Sequence, residues 1–146
     1  MIEKKRRKDL TMQITGSCHC GAIRYEAEVD PGRVSACHCT DCQTLTGTAF
    51  RLSTQALPGT FRLVAGTPRV YTKIADSGRK REQGFCERCG SPIYASSPGP
   101  EPRTYNVRVG TIHQRNELRP FRQIWTRSQL PWLKEIAVCP DPGVDV

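Results

Sequence analysis

Seven of the eight cysteines fall in three tight groups: Cys18-His19-Cys20, Cys37-His38-Cys39-Thr40-Asp41-Cys42 and Cys86-Glu87-Arg88-Cys89. Thiols one residue apart pair poorly with each other as disulfides, yet they chelate a single ion readily. A tetrahedral all-cysteine zinc site takes four thiolates, so two pairs and a triplet divide as four plus three. Three thiolates on a metal leave a coordination position open, and an open position is where chemistry can occur.

Spacing suggests which thiols belong together. Cys86-x-x-Cys89 followed by Gly90 reads as a knuckle, because a tight turn aims both sulfurs inward and Gly90 permits a positive φ. Cys18 and Cys20 flank one residue, and in an extended chain residues i and i+2 point to the same side. These two pairs would tie an N-terminal strand to a much later hairpin and staple the fold. The triplet can reach one ion unaided: Cys37 and Cys39 share a strand face, and Cys42 returns through a helical turn. Water, His38, Asp41, His113 or a substrate thiol can complete that site. Alternation turns His38 away from the Cys37 and Cys39 face, and His19 away from Cys18 and Cys20. Closure by a histidine, a mixed two-metal cluster and an iron–sulfur cluster stay open as alternatives. Cys139, beside Pro140, reads as an uninvolved thiol, and His113 as a surface residue.

The elements that must position these groups read mainly as strands. Ala22 to Val29 alternates, with Ile23, Tyr25, Ala27 and Val29 on one face. Asp30-Pro31-Gly32 signals a turn, and Val34 to Cys37 a second short strand that delivers the triplet. Asp41 to Leu45 reads as one helical turn. Further strands are expected over Thr48–Ser53, Thr60–Val64, Arg69–Ile74, Arg81–Phe85, Pro92–Ala95, Tyr105–Val109 and Phe121–Trp125. A turn over Ser128–Leu133 is expected to bury Trp132 and Leu133. With no long helical period, the fold class is mainly β, built from stacked antiparallel sheets.

Composition agrees with a metal-stapled domain. Aromatic residues make up only 7% of the 146, against 12 glycines and 11 prolines, so the core is thin and the turns are many. Residues 1–11 read as a basic, disordered tail, 12–139 as a zinc-binding domain and 140–146 as a loose C-terminal tail. The net charge is +8, of which Lys4, Lys5, Arg6, Arg7 and Lys8 against Glu3 and Asp9 give +3. The remaining charge reads as spread over the domain without a dense stripe. A basic body suits a small anionic substrate through long-range attraction. Residues 1–13 hold no apolar signal segment and no run reaches membrane-spanning length, which points to the reducing cytoplasm and to no membrane partner. Aromatic and basic residues are not interleaved at base-reading spacing, which ranks nucleic acid below small molecules as a partner.

Taken with their flanking residues, the cysteine groups resemble a known family. Gly16-Ser17-Cys18-His19-Cys20-Gly21, Cys37-His38-Cys39-Thr40-Asp41-Cys42 with Gly47, and Gly84-Phe85-Cys86-Glu87-Arg88-Cys89-Gly90 are similar to the glutathione-dependent formaldehyde-activating enzyme family, which includes centromere protein V. Val109-Gly110 and Trp125 with Pro131-Trp132-Leu133 also match. The resemblance implies a β-tent of packed antiparallel sheets stapled by structural zinc on Cys18, Cys20, Cys86 and Cys89. It also implies a second, exchangeable zinc on Cys37, Cys39 and Cys42, two zinc ions per chain in all. The implied activity is a carbon–sulfur lyase type that joins glutathione or a related thiol to a small aldehyde such as formaldehyde. The implied partners are therefore a thiol, with glutathione as co-substrate, and an aldehyde. Gln123 stands where many relatives carry His or Glu, and Thr111-Ile112-His113 where a Leu-Asp-like pair is frequent. Both positions are expected near the pocket wall, with Phe50, Arg51 and Trp125. Two rival readings are a zinc-stabilised binding module acting through its basic surface, and a thiol-based metal store or redox sensor.

Overall fold

Alternating apolar residues build the central strand and fix which face of it is buried. The computed structural model describes residues 10–143. The basic tail expected at the N-terminus lies outside that range except for Leu10 and Thr11, as do the last three residues of the C-terminal tail. The strands are β1 (Met12–Ser17), β2 (Arg24–Cys37), β3 (Arg51–Ala56), β4 (Arg62–Ala65), β5 (Arg69–Ile74), β6 (Lys80–Phe85), β7 (Pro92–Ser96), β8 (Tyr105–Arg108) and β9 (Arg122–Ile124). One helix, α1 (Thr40–Thr46), follows β2.

The strands form one hydrogen-bonded network in the order β1-β2-β3-β8-β7-β6-β5, with β4 and β9 also paired to β2. The mainly β, antiparallel architecture read from the sequence is the one observed. A single strand pairing is parallel among the described residues: β9 runs alongside the end of β2, with Ala36 opposite Gln123 and Cys37 opposite Ile124.

The expected turn at Asp30-Pro31-Gly32 is instead a bulge within one long strand. Between the pairs Val29–Ala56 and Val34–Thr54, five steps along β2 meet two along β3, so three residues are extruded. The Asp30 carboxylate accepts from the Gly32 N–H (2.8 Å), which satisfies the extruded backbone locally. The turn chemistry is present, but the pairing on either side carries the strand through it.

Two faces of the sheet separate core from site. Thr54, Val107, Tyr94 and Gly84 lie side by side across β3, β8, β7 and β6. They join Ile14, Ile23, Tyr25, Ala27, Val29, Ile93 and Ile112 in the core. Phe61 stacks on Tyr105 (4.4 Å between ring centroids) and meets Tyr25 and Tyr94, so a few aromatics close the gap left by a thin aliphatic core. The opposite face carries Ser53 opposite Arg108, and Gln83, Ala95 and Asn106 in one row. That face is polar and cationic.

Trp132, expected to be buried with Leu133, is 46% exposed, and Leu133 is half-buried. This segment forms short 3-10 turns (Thr126–Ser128 and Leu133–Val138) that lie outside the strand network.

Candidate metal centres and an adjoining cationic cavity

The first cysteine group is assembled from two turns. Cys18, Cys20, Cys86 and Cys89 bring their sulfurs within 4.8 Å of one another. Cys18 and Cys20 follow the end of β1 in a tight turn, not in the extended strand expected, with Gly21 N–H bonded to Cys18 O (3.1 Å). Cys86 and Cys89 lie in a matching turn between β6 and β7, with Gly90 N–H bonded to Cys86 O (2.8 Å). Gly90 has φ +80, as the sequence requires of a knuckle. The turns are tied together by the His19 N–H, which donates to Ser91 Oγ (3.0 Å).

This group fits a metal. Four sulfurs placed tetrahedrally at about 2.3 Å from zinc stand about 3.8 Å apart. Cys18 and Cys20 sulfurs are 3.6 Å apart, and those of Cys20 and Cys86 are 3.7 Å apart. The Ile23 N–H donates to Cys18 Sγ (3.2 Å), and Ser91 Oγ lies 3.2 Å from Cys89 Sγ. The Ser91 hydroxyl, with backbone N–H groups, pulls the Cys89 thiol down to about 5. These donors favour sulfur as the thiolate, the form that ligates.

The second group is local. Cys37 ends β2, Cys39 is the N-cap of α1, and Cys42 lies in its first turn. Their sulfurs also come within 4.8 Å of one another. The Cys42 N–H donates to Cys39 Sγ (3.3 Å), so a thiol does the capping that Ser or Asp usually does. Burial raises the Cys39 thiol, but the Cys42 N–H, the neighbouring thiols and Lys73 outweigh it and hold Cys39 below its ordinary value. Burial and the neighbouring thiols push Cys42 up to about 12, so the group favours an uneven charge until a cation joins it. No histidine or carboxylate joins this trio among the described residues.

His38 points away from the trio, as alternation predicts. It is 1% exposed, and its Nε2 meets Gln123 Oε1 (2.7 Å). Because that amide oxygen only accepts, Nε2 carries the proton. Gln123 is thus a buttress behind the trio; the neighbouring wall residues of the cavity are Arg122 and Ile124. Gln43 adds a second brace, its amide donating to His38 O (2.8 Å) and Ser128 O (3.0 Å). His113 is a surface residue that meets Thr15 Oγ1 (2.8 Å) and Ser17 Oγ (3.3 Å), and Thr111 lies away from the trio's cavity.

The trio opens into a cavity of about 260 Å³ lined by Cys37, Cys42 and Asp41 with five cations: Arg51, Lys73, Arg81, Arg108 and Arg122. Five of the body's cations therefore converge here, a local concentration within the even spread read from the sequence. Arg51 and Arg108 are 5% and 8% exposed. Both donate to Gln83 Oε1, at 3.1 and 2.9 Å. Arg51 also donates to Thr46 Oγ1 (3.0 Å), and Arg108 to Ser53 Oγ (2.7 Å). Burial, with Arg51 beside it, pushes the Arg108 guanidinium down to about 9. Lys73 pairs with Asp41 (2.6 Å) and lines the spaces on both sides of α1's first turn.

Of the three expected wall residues, Arg51 lines this cavity. Trp125 borders a neighbouring space with Cys39, and Phe50 packs on the His38 ring and faces another space. Trp125 has φ 57, a left-handed conformation that costs a bulky residue about 1–2 kcal/mol. It carries the Arg127 guanidinium 4.3 Å from its ring centroid. Sequence reasoning missed Lys73, Arg81, Arg108 and Arg122. For Arg81 and Arg108 the available signal was polar residues at period two, Arg81/Gln83 and Asn106/Arg108, the same pattern as Arg51/Ser53.

A family model described as glutathione-dependent formaldehyde-activating enzyme matches residues 13–128. The chain belongs to that family. The matched span of this formaldehyde-activating-family chain contains all seven clustered cysteines and all five cavity cations. Over 91 residues it is 30% identical to a Halomonas elongata protein named "Putative glutathione-dependent formaldehyde-activating enzyme". That alignment covers 60% of this chain and 58% of the relative, less than two thirds of its length. A crystal structure of a Rhodobacter sphaeroides protein shares the fold with TM-score 0.56 at 21% identity, covering 75% of this chain and 98% of that one.

Proposed function

We propose that this protein is a zinc-dependent carbon–sulfur lyase-type enzyme that joins a thiol, glutathione or a relative, to a small aldehyde such as formaldehyde. The observation that carries the reading is a trio of thiols, with no fourth protein ligand beside it among the described residues, at the mouth of a cationic cavity. The family match and the name of the Halomonas elongata relative support the same substrates. In this reading Cys18, Cys20, Cys86 and Cys89 hold a structural zinc, and Cys37, Cys39 and Cys42 hold a second, exchangeable one. Residues 12–139 form the working unit. Eight free cysteines suit the reducing cytoplasm, and no helix among the described residues is long and apolar enough to cross a membrane.

Zinc held by Cys37, Cys39 and Cys42 would supply a Lewis acid that lowers the pKa of a substrate thiol. The chain's own residues do the rest. The cavity cations draw in an anionic thiol and hold it against the trio. The substrate sulfur attacks the aldehyde carbon and a C–S bond forms. The carbonyl π pair moves to oxygen, and the proton lost by the thiol ends on that oxygen. Lys73 is the cation we assign to the developing alkoxide. Burial opposes its charge, but Asp41 and the nearby thiols keep it protonated above its ordinary value. The reverse reaction breaks the same C–S bond.

Exchange spectroscopy by NMR on formaldehyde and glutathione tests the reading. The zinc-loaded protein is expected to accelerate their equilibration, and an unchanged rate would overturn the substrate assignment.

A further inference from the structure

We propose that Arg51, Arg81, Arg108 and Arg122 form a carboxylate-binding subsite that selects acidic substrates for the cysteine trio. The proposal deepens the thiol–aldehyde reading of this site and rests on it.

Charge balance is the first argument. The cavity holds five cations against one carboxylate, Asp41, which Lys73 already engages. Even if Cys37, Cys39 and Cys42 were all thiolates, one positive charge would be left over; a divalent ion on the trio would raise the surplus to three. A bound anion removes that surplus.

The second argument is how the buried arginines are held. Arg51 and Arg108 bond only neutral acceptors: Thr46, Gln83 and Ser53. No carboxylate lies within ion-pair reach of either among the described residues. Arg108 Nε has no partner at all, although it is buried. A buried guanidinium without an anion is costly, and such residues are normally paired. Neutral acceptors aim the two forks without cancelling their charge. Gln83 Oε1 sits between them as a shared acceptor, so the pair is preorganised on strands β3, β6 and β8 and not on a mobile loop.

Shape supplies the third argument. Planar guanidinium forks match a carboxylate with two parallel hydrogen bonds. The cavity is continuous in its lining with a second of about 450 Å³, the two sharing Ser35, Ser53, Asn106 and Arg122. An extended polar molecule can thus place its reactive end at Cys37 and Cys42 and its carboxylate on the arginines. The carboxylate can belong to the thiol or to the aldehyde.

The test is calorimetric titration of the zinc-loaded full chain. S-methylglutathione, with its sulfur blocked and its carboxylates free, is compared with its diethyl ester, and glyoxylate with acetaldehyde. The acid is expected to bind about tenfold tighter than the ester or more, with the preference shrinking at high salt. Arg108→Met and Arg122→Gln are each expected to weaken the acid about tenfold and leave the ester unchanged. Far-UV circular dichroism checks the fold; should buried Arg108→Met not fold, the exposed Arg122→Gln and the wild-type acid–ester comparison decide. Arg108- or Arg122-dependent binding of glyoxylate, with S-methylglutathione and its ester alike, keeps the subsite and assigns the carboxylate to the aldehyde. Acid and uncharged forms binding alike in both pairs overturns the subsite. If that happens while the protein still accelerates glutathione–formaldehyde exchange, only the subsite falls. Acid selectivity without such acceleration keeps the subsite and overturns the reaction.

Discussion

The two cysteine groups offer the same candidate ligand atom in opposite settings. Cys18 and Cys20 stand 66 or more positions from Cys86 and Cys89, and the structure joins them through two turns bridged by His19 and Ser91. Cys37, Cys39 and Cys42 occupy six consecutive positions at the junction of β2 and α1. An ion on the first group closes a long loop; an ion on the second closes almost none. Loop-closure entropy alone separates them by about 2 kcal/mol, and the first group also locks β1 and β2 onto β6 and β7. Their surroundings differ as well. The first group is braced by neutral donors, the Ile23 amide and Ser91. The second faces five cations and an open cavity. The proposed assignment follows this contrast: thiols that link distant segments to hold the fold, and thiols gathered locally beside unbalanced charge to serve chemistry.

The comparison breaks most decisively at Cys86. On the proposed assignment, Cys86→Ser leaves a zinc site short of one buried ligand. Structural zinc contributes on the order of 10–16 kcal/mol, as much as or more than a domain's whole stability of about 5–15 kcal/mol. Far-UV circular dichroism should show an unfolded chain at room temperature, and elemental analysis should show both ions lost. A Cys86→Ser protein that melts with the wild type would erase the distinction between the groups.

Cys39→Ser should behave in the opposite way. It is expected to melt within a few degrees of the wild type, bind one zinc fewer and lose on the order of 100-fold or more in glutathione–formaldehyde exchange rate. Metal counting beside the NMR assay reads both arms, and joint loss of fold and activity would refute the division.

Gly90→Ala probes the knuckle without touching a ligand. At φ +80 an added Cβ should cost about 1–2 kcal/mol, visible as a lower urea midpoint at unchanged slope. Activity measured well below that midpoint should not move. The smallest expected effect is at the rim of the same knuckle, where exposed Arg69 and Glu87 pair at 3.2 Å. Arg69→Ala should change stability by less than about 0.5 kcal/mol in the same urea titration, because exposed ion pairs gain little over solvation. A loss of several times that would mean that surface charge, and not thiol ligation, secures the turn.

Much of this was legible along the chain, and the misreadings have local causes. Arg69–Ile74 is a strand as read, the helical turn after Cys39 is present, and Ile23, Tyr25, Ala27 and Val29 face the core. Asp30-Pro31-Gly32 misled because a three-residue bulge uses the same residues as a turn. Cys18 and Cys20 converge through a turn where alternation in a strand was expected, and both geometries bring i and i+2 sulfurs together. Trp132 is expected inside from the turn over Ser128–Leu133, yet among the described residues no strand pairs with its segment to make an inside there.

The sequence by itself determined the ligand chemistry, the grouping of thiols within each cluster and the apolar face of each strand, because these depend on residues a few positions apart. The tertiary structure decided what the trio faces. Arg51, Lys73, Arg81, Arg108 and Arg122 come from five different strands, β3, β5, β6, β8 and β9. Linear spacing carries no record of which strands will be neighbours. Only the order β3-β8-β7-β6-β5, with β9 laid parallel against β2, gathers five cations scattered along the chain into one cavity beside three thiols.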